Sequence, residues 1–113
     1  MKIVRIYFEN ILERINMIDR FTAGGKESFL NSQLEQEDTI RCLEIIGEIL
    51  KRIDPSLLDQ QPSIPWKKIM RFRDFVIHQY SRIEPEIVWN IVEDDLNPLR
   101  KALQALIASL PKE

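Results

Sequence analysis

The stretch Trp66-Lys67-Lys68-Ile69-Met70-Arg71-Phe72-Arg73-Asp74-Phe75-Val76-Ile77-His78-Gln79-Tyr80 decides the fold class. At about 100° per residue, Ile69, Phe72, Val76, Ile77 and Tyr80 fall on one arc, which predicts an amphipathic helix. Pro65 suits the first turn of that helix, where its missing N–H costs nothing. Arg73 interrupts the arc. A guanidinium there must reach the edge or find a partner, because burying it unpaired is expensive. His78 is the only histidine of the chain and lies about 140° from Arg73 on the same wheel. Asp74 is four residues before His78, on its side, and can orient the imidazole.

The flanking segments read as helices too. Ile3, Tyr7, Ile11, Arg14, Ile15, Ile18 and Phe21 recur at helical spacing, which predicts a first helix over residues 2–22, ended by Gly24-Gly25. A longer helix is expected from residues 26–28 to about 53. Its inner stripe is Cys42, Ile46, Ile49 and Ile53, flanked by Leu43 and Leu50. Its polar first half invites a bend near residue 32. Asp54-Pro55 ends it, and residues 54–65, with three prolines, read as an ordered surface loop. Beyond the central helix, Glu84-Pro85 opens a helix to about residue 96, with Ile87, Val88, Ile91 and Val92 inward. Asn97-Pro98 then caps a last helix whose stripe is Leu99, Leu103, Leu106 and Leu110. No strand-like alternation or internal repeat appears. The expected architecture is one all-α, up-and-down bundle of four to five helices.

Composition narrows the function. The chain has 113 residues, the size of one domain, with 44% hydrophobic and 30% charged residues. A net charge of −2 argues against a general polyanion binder. The charge is segregated, however. Lys67, Lys68, Arg71, Arg73 and Arg82 against Asp74 give a local +4, able to draw in RNA phosphates. Glu84, Glu86, Glu93, Asp94 and Asp95 give a local −5, ordinary for a solvated helix face. The lone Cys42 excludes an internal disulfide and reads as a small core residue. No metal-ligand cluster and no cofactor motif is evident. The charged N-terminal stretch lacks a signal-peptide core, and no apolar run reaches transmembrane length, so a cytoplasmic protein without a membrane partner is expected.

Chemically, Arg73 offers a permanently charged fork that fits phosphate oxygens, and His78 can move protons near neutral pH. Cleaving RNA through its own 2′-hydroxyl needs one group to take a proton and another to give one. One chain supplies a single histidine. Two copies across a two-fold axis would supply both, so a homodimer with a composite groove is expected. Plainer readings exist for each residue. His78 can serve the C-terminal end of its helix dipole, Arg73 can pair with Glu44 or Glu48, and Tyr80 can be core with a hydrogen-bonded hydroxyl. Trp66 and Trp89 read as core or interface anchors.

The segment Ile64-Pro65-Trp66 leading to Arg73-Asp74 and His78-Gln79-Tyr80 resembles the HepT-like family of HEPN proteins, whose hallmark is R-x-x-x-x-H-x-Y. Ile45-Ile46-Gly47-Glu48 is similar to the family's I-G-E segment, and Glu86 to Val92 with Asp95-Leu96 to its penultimate helix. The likeness spans residues 29–99. It implies a dimerising helical domain and a metal-independent ribonuclease toxin, encoded beside a minimal nucleotidyltransferase (MNT) antitoxin that adenylylates the motif tyrosine. Carried over, Arg73 would bind the scissile phosphate, His78 would act as general acid or base, Asp74 would orient it, and Tyr80 would be the modified residue. Arg71, with Lys67 and Lys68 as further RNA contacts, stands where many relatives have glycine. A non-catalytic HEPN module that binds nucleotide or supports a nucleotidyltransferase is the alternative, and a purely structural helical dimer a third.

Overall fold

The computed structural model describes residues 1–112. They form seven α-helices: α1 (Lys2–Phe21), α2 (Lys26–Leu30), α3 (Gln33–Leu50), α4 (Pro55–Leu58), α5 (Trp66–Gln79), α6 (Pro85–Asp94) and α7 (Leu96–Ser109). A 3-10 turn, Tyr80–Arg82, follows α5. No strand occurs among the described residues. Five helices are long and two are single-turn or nearly so, which agrees with the expected all-α bundle of four to five. No helix among the described residues is long and apolar enough to cross a membrane.

α3 is the spine. It packs against α1 on one side and α5 on the other, while α7 packs on α1 and α6. The apolar stripes explain why. Phe8, Ile11, Ile15 and Ile18 of α1 are fully buried, as are Ile46 and Leu50 of α3 and Leu103 of α7. Each such side chain contributes about 1.5–3 kcal/mol relative to exposure. The stripe expected on α7 is buried throughout, and Cys42 is a core residue whose thiol is pushed up by burial, with Arg14 opposing that rise.

Local chemistry sets the boundaries. The expected 26–53 helix breaks at Asn31-Ser32, where a bend was anticipated. Asn31 Nδ2 donates to the Glu27 carbonyl at 2.9 Å, and the Ser32 hydroxyl accepts from the Glu35 N–H at 3.1 Å. Gln36 then staples the corner through the carbonyls of Phe29 and Leu30, at 3.0 and 3.2 Å. Side chains that offer the backbone such partners favour helix ends over interiors. Gly25, with φ 90°, supplies the left-handed step before α2.

Several boundaries move. The proline-rich loop contains α4, capped by Asp54, which accepts from the Ser56 N–H at 3.0 Å. Hydrogen bonding from the Ser56 backbone, and then from its side chain, holds the Asp54 carboxyl below its usual range. Pro65 is the residue before the first turn of α5, not within it. Pro85 opens α6 as expected. The last helix begins at Leu96, so Asn97 is not its cap; its side chain accepts instead from Arg100 Nη1 at 3.0 Å.

Some residues placed inward by periodicity are exposed: Ile3 on α1, Ile77 on α5, Tyr80 in the 3-10 turn and Ile87 on α6. A wheel fixes relative direction along a helix, but the width of the covered arc depends on neighbours. Trp66 is buried with its indole N–H on the Gln61 carbonyl at 3.0 Å. Trp89 lies 5.5 Å from the Phe29 ring, tying α6 to α2, and donates to Glu93 at 2.7 Å.

Candidate active site on the fifth helix

The site is built on the seam between α3 and α5. Gly47 lies in the middle of α3 and has no side chain to hold the helices apart. A β-carbon there would meet the Arg73 Cβ at 2.6 Å and the Ile69 carbonyl oxygen at 3.1 Å. The Arg73 stem therefore lies directly on the α3 backbone. Its Nε is buried and has no hydrogen-bond partner among the described residues, while the side chain as a whole remains 27% exposed. The arginine thus neither sinks into the core nor pairs with Glu44 or Glu48. Glu44 pairs with Arg41 at 3.2 Å.

Arg73 Nη1 donates to Asp74 Oδ1 at 3.2 Å, and Lys51 Nζ donates to the same oxygen from the end of α3. These two donors, Lys51 first, hold the Asp74 carboxyl below its usual range. Asp74 is therefore turned toward Lys51 and Arg73, where the sequence placed it beside His78. Two cations on the α3 side outcompete a single imidazole at four-residue spacing.

His78 occupies the last turn of α5 and is exposed, with no hydrogen bond or ion pair among the described residues. No such bond joins it to Arg73. The helix stays regular through both residues and loosens only after Gln79, whose φ is −137° and ψ 36°. Tyr80 projects from the 3-10 turn and is 51% exposed, not core.

The three candidate RNA contacts lie on the outward side of α5. Lys67 and Arg71 are exposed and unpaired among the described residues, and Lys68 stands 4.0 Å from Asp95. Beside them a groove of about 490 Å³ opens between α5 and the α6–α7 pair. Ile46, Ile69, Phe72, Phe75 and Ile91 wall it, and Lys68, Arg71, Asn90, Asp94 and Asp95 rim it. Phe75 is 41% and Ile77 47% exposed, so α5 presents apolar surface on either side of its histidine. Among the described residues no group of three or more His, Cys, Asp or Glu is placed to hold a metal ion.

Lys51 and the packing role of Gly47 were not singled out from sequence. The available signal was the pair itself. A glycine inside an otherwise strong helix marks a close approach, and a lysine one turn later lies on the same face.

Comparison with known proteins places the chain in a family. The family model described as Ribonuclease HepT-like matches residues 11–106, a longer span than the motif-based likeness. A Thermococcus cleftensis protein, named provisionally as ribonuclease HepT, is 37% identical over 101 residues, covering 88% of this chain and 92% of its own. A Methanocaldococcus jannaschii protein named provisionally as an RNase is 34% identical over 113 residues, covering 99% of this chain and 93% of its own. A second M. jannaschii protein is named as a gamma-glutamylcyclotransferase and, provisionally, an RNase. It is 32% identical over 112 residues, and the chain spans 50% of its length. No solved structure matches the chain with significance. With most of its length matched by that model and by these relatives, the chain belongs to the HepT-like family.

Proposed function

We propose that the protein is a metal-independent endoribonuclease whose active groove forms where two copies meet. Arg73 grips the scissile phosphate and the charge that develops on it, while His78 moves the proton. The observation that carries this reading is the division of the two groups. Arg73 is held on the α3 seam with one outer nitrogen free of any partner among the described residues, and His78 is exposed on another side of the same helix. A second copy covering the His78 side of α5, which Phe75 and Ile77 flank, would bring the partner's imidazole toward Arg73 and bury that apolar surface. The family membership and the ribonuclease names of the relatives support it.

The chain would act as the toxin of a pair with an MNT-type nucleotidyltransferase. Exposure of Tyr80 on a short turn supports a role as acceptor of AMP from that antitoxin. Arg71, Lys67 and Lys68 would hold the flanking phosphates. The deciding experiment compares wild type with His78→Ala on total RNA in chelator. A loss of cleavage of at least about a hundredfold is expected from removing a general acid or base. Equal RNA loss by both proteins removes His78 from the chemistry and leaves the non-catalytic module as the reading.

A further inference from the structure

The Asp74 carboxylate is held from two helices at once. Neighbouring residues on a helix point about 100° apart, so side chains at i and i+1 do not normally meet. Arg73 and Asp74 do meet, at 3.2 Å, and the group that turns Asp74 back over the arginine is Lys51, donating from the C-terminal end of α3 to the same carboxylate oxygen. The Arg73 stem is also pressed against Gly47, and its Nε is buried without a partner among the described residues. The stem and Nε of Arg73 are thus set by packing and one terminal nitrogen by Asp74, while Nη2 has no partner among the described residues. Lys51 and Asp74 are 37% and 45% exposed. Ion pairs that open to water add little to folding stability, so stability does not account for this one.

We infer that Lys51 is a positioning residue for Arg73, acting through Asp74: it holds the carboxylate where it aims the guanidinium, leaving Nη2 for an incoming RNA phosphate. The phosphate-binding role rests on the ribonuclease reading, but the positioning itself does not. Two measurements separate them. The first is kcat/KM on a short RNA for Lys51→Met, Lys51→Arg, Asp74→Asn and the Lys51→Met/Asp74→Asn pair. Lys51→Met and Asp74→Asn should each lose about tenfold, the scale on which a misaligned catalytic group is felt. Lys51→Arg should restore most of the rate, and the pair should be no worse than Asp74→Asn alone, because both changes break one chain of contacts. Equal losses from Lys51→Met with and without Asp74 would mean that Lys51 acts on RNA directly, and would overturn the inference.

The second measurement needs no activity. The Arg73 Nε–H, shielded in the helix seam, should give a distinct side-chain signal in a proton–nitrogen correlation spectrum. It should be retained in Lys51→Arg and displaced or broadened in Lys51→Met and Asp74→Asn. An unchanged signal in Lys51→Met overturns the positioning role even if wild type proves to have no ribonuclease activity. That last result would bear on the ribonuclease reading alone.

Discussion

Gly47 and Arg73 face each other across the α3–α5 seam so closely that any β-carbon on Gly47 would sit 2.6 Å from the arginine's own Cβ. Neither atom belongs to a flexible side-chain tip, and the Ile69 carbonyl closes the other side at 3.1 Å. The helices themselves must part to admit a methyl group.

Gly47→Ala therefore reverses the usual sign. In an open helix this change stabilises by roughly 0.5–1 kcal/mol. Here it should destabilise by about 1–3 kcal/mol, the cost of overpacking a fitted contact. Urea unfolding of the two proteins checks this. A midpoint equal to or above wild type would show that the seam yields easily.

The exposed apolar residues of α5 predict self-association. Replacing Phe75 or Ile77 with aspartate should shift a dimer toward monomer, measured by light scattering or sedimentation, with fold content retained by circular dichroism. Ile77 lies outside the groove and is nearly half exposed, so its replacement should alter stability by about 0.5 kcal/mol at most, while Phe75 walls the groove and its replacement should cost about 1 kcal/mol. A wild-type protein that is monomeric at working concentration yet cleaves RNA at full rate would refute the composite groove.

Tyr80 should be the site of covalent modification. If the chain is the toxin of such a pair, co-expression with an MNT-type nucleotidyltransferase should raise the intact mass by whole AMP units, and Tyr80→Phe should abolish the increase. An increase that survives that substitution would place the modification elsewhere.

Acid should release Asp74. Its carboxyl is held below the usual range by Lys51 and then by Arg73. Its contribution is therefore fully present above the unfolded carboxylate value and is lost as pH falls through the lower folded value. The Arg73 Nε–H signal should stay constant from neutral pH down to the ordinary carboxylate range and move only below it. Asp74→Asn should remove that acid transition. Movement at near-neutral pH would point to a different titrating group.

Much of this architecture was legible in the sequence. The stripes of α1, α3 and α7 gave the buried faces, because several elements pack on each and the covered arc is wide. The outermost readings were less secure for the opposite reason. Ile77 and Ile87 lie where a single chain has no neighbour to cover them. At the site, the types and spacing of Arg73, His78 and Tyr80 were evident, whereas the direction of Asp74 was not. That direction depends on Lys51, which is 23 residues away and meets it only through the packing of two helices. Spacing along one helix carries no record of what a second helix brings alongside.

The corner at Asn31-Ser32 has an effect well away from itself. It swings α2 outward so that Phe29, fully buried, meets the Trp89 ring, while Lys26 pairs with Glu86 at 3.0 Å. A five-residue segment thus latches the ten-residue helix that forms one wall of the groove. Opening that latch would leave α6 held only by α7 and a few contacts to α3, so amide protons of α6 should exchange with solvent sooner than those of α3. The width of the groove is then influenced from a loop corner that is not part of its lining.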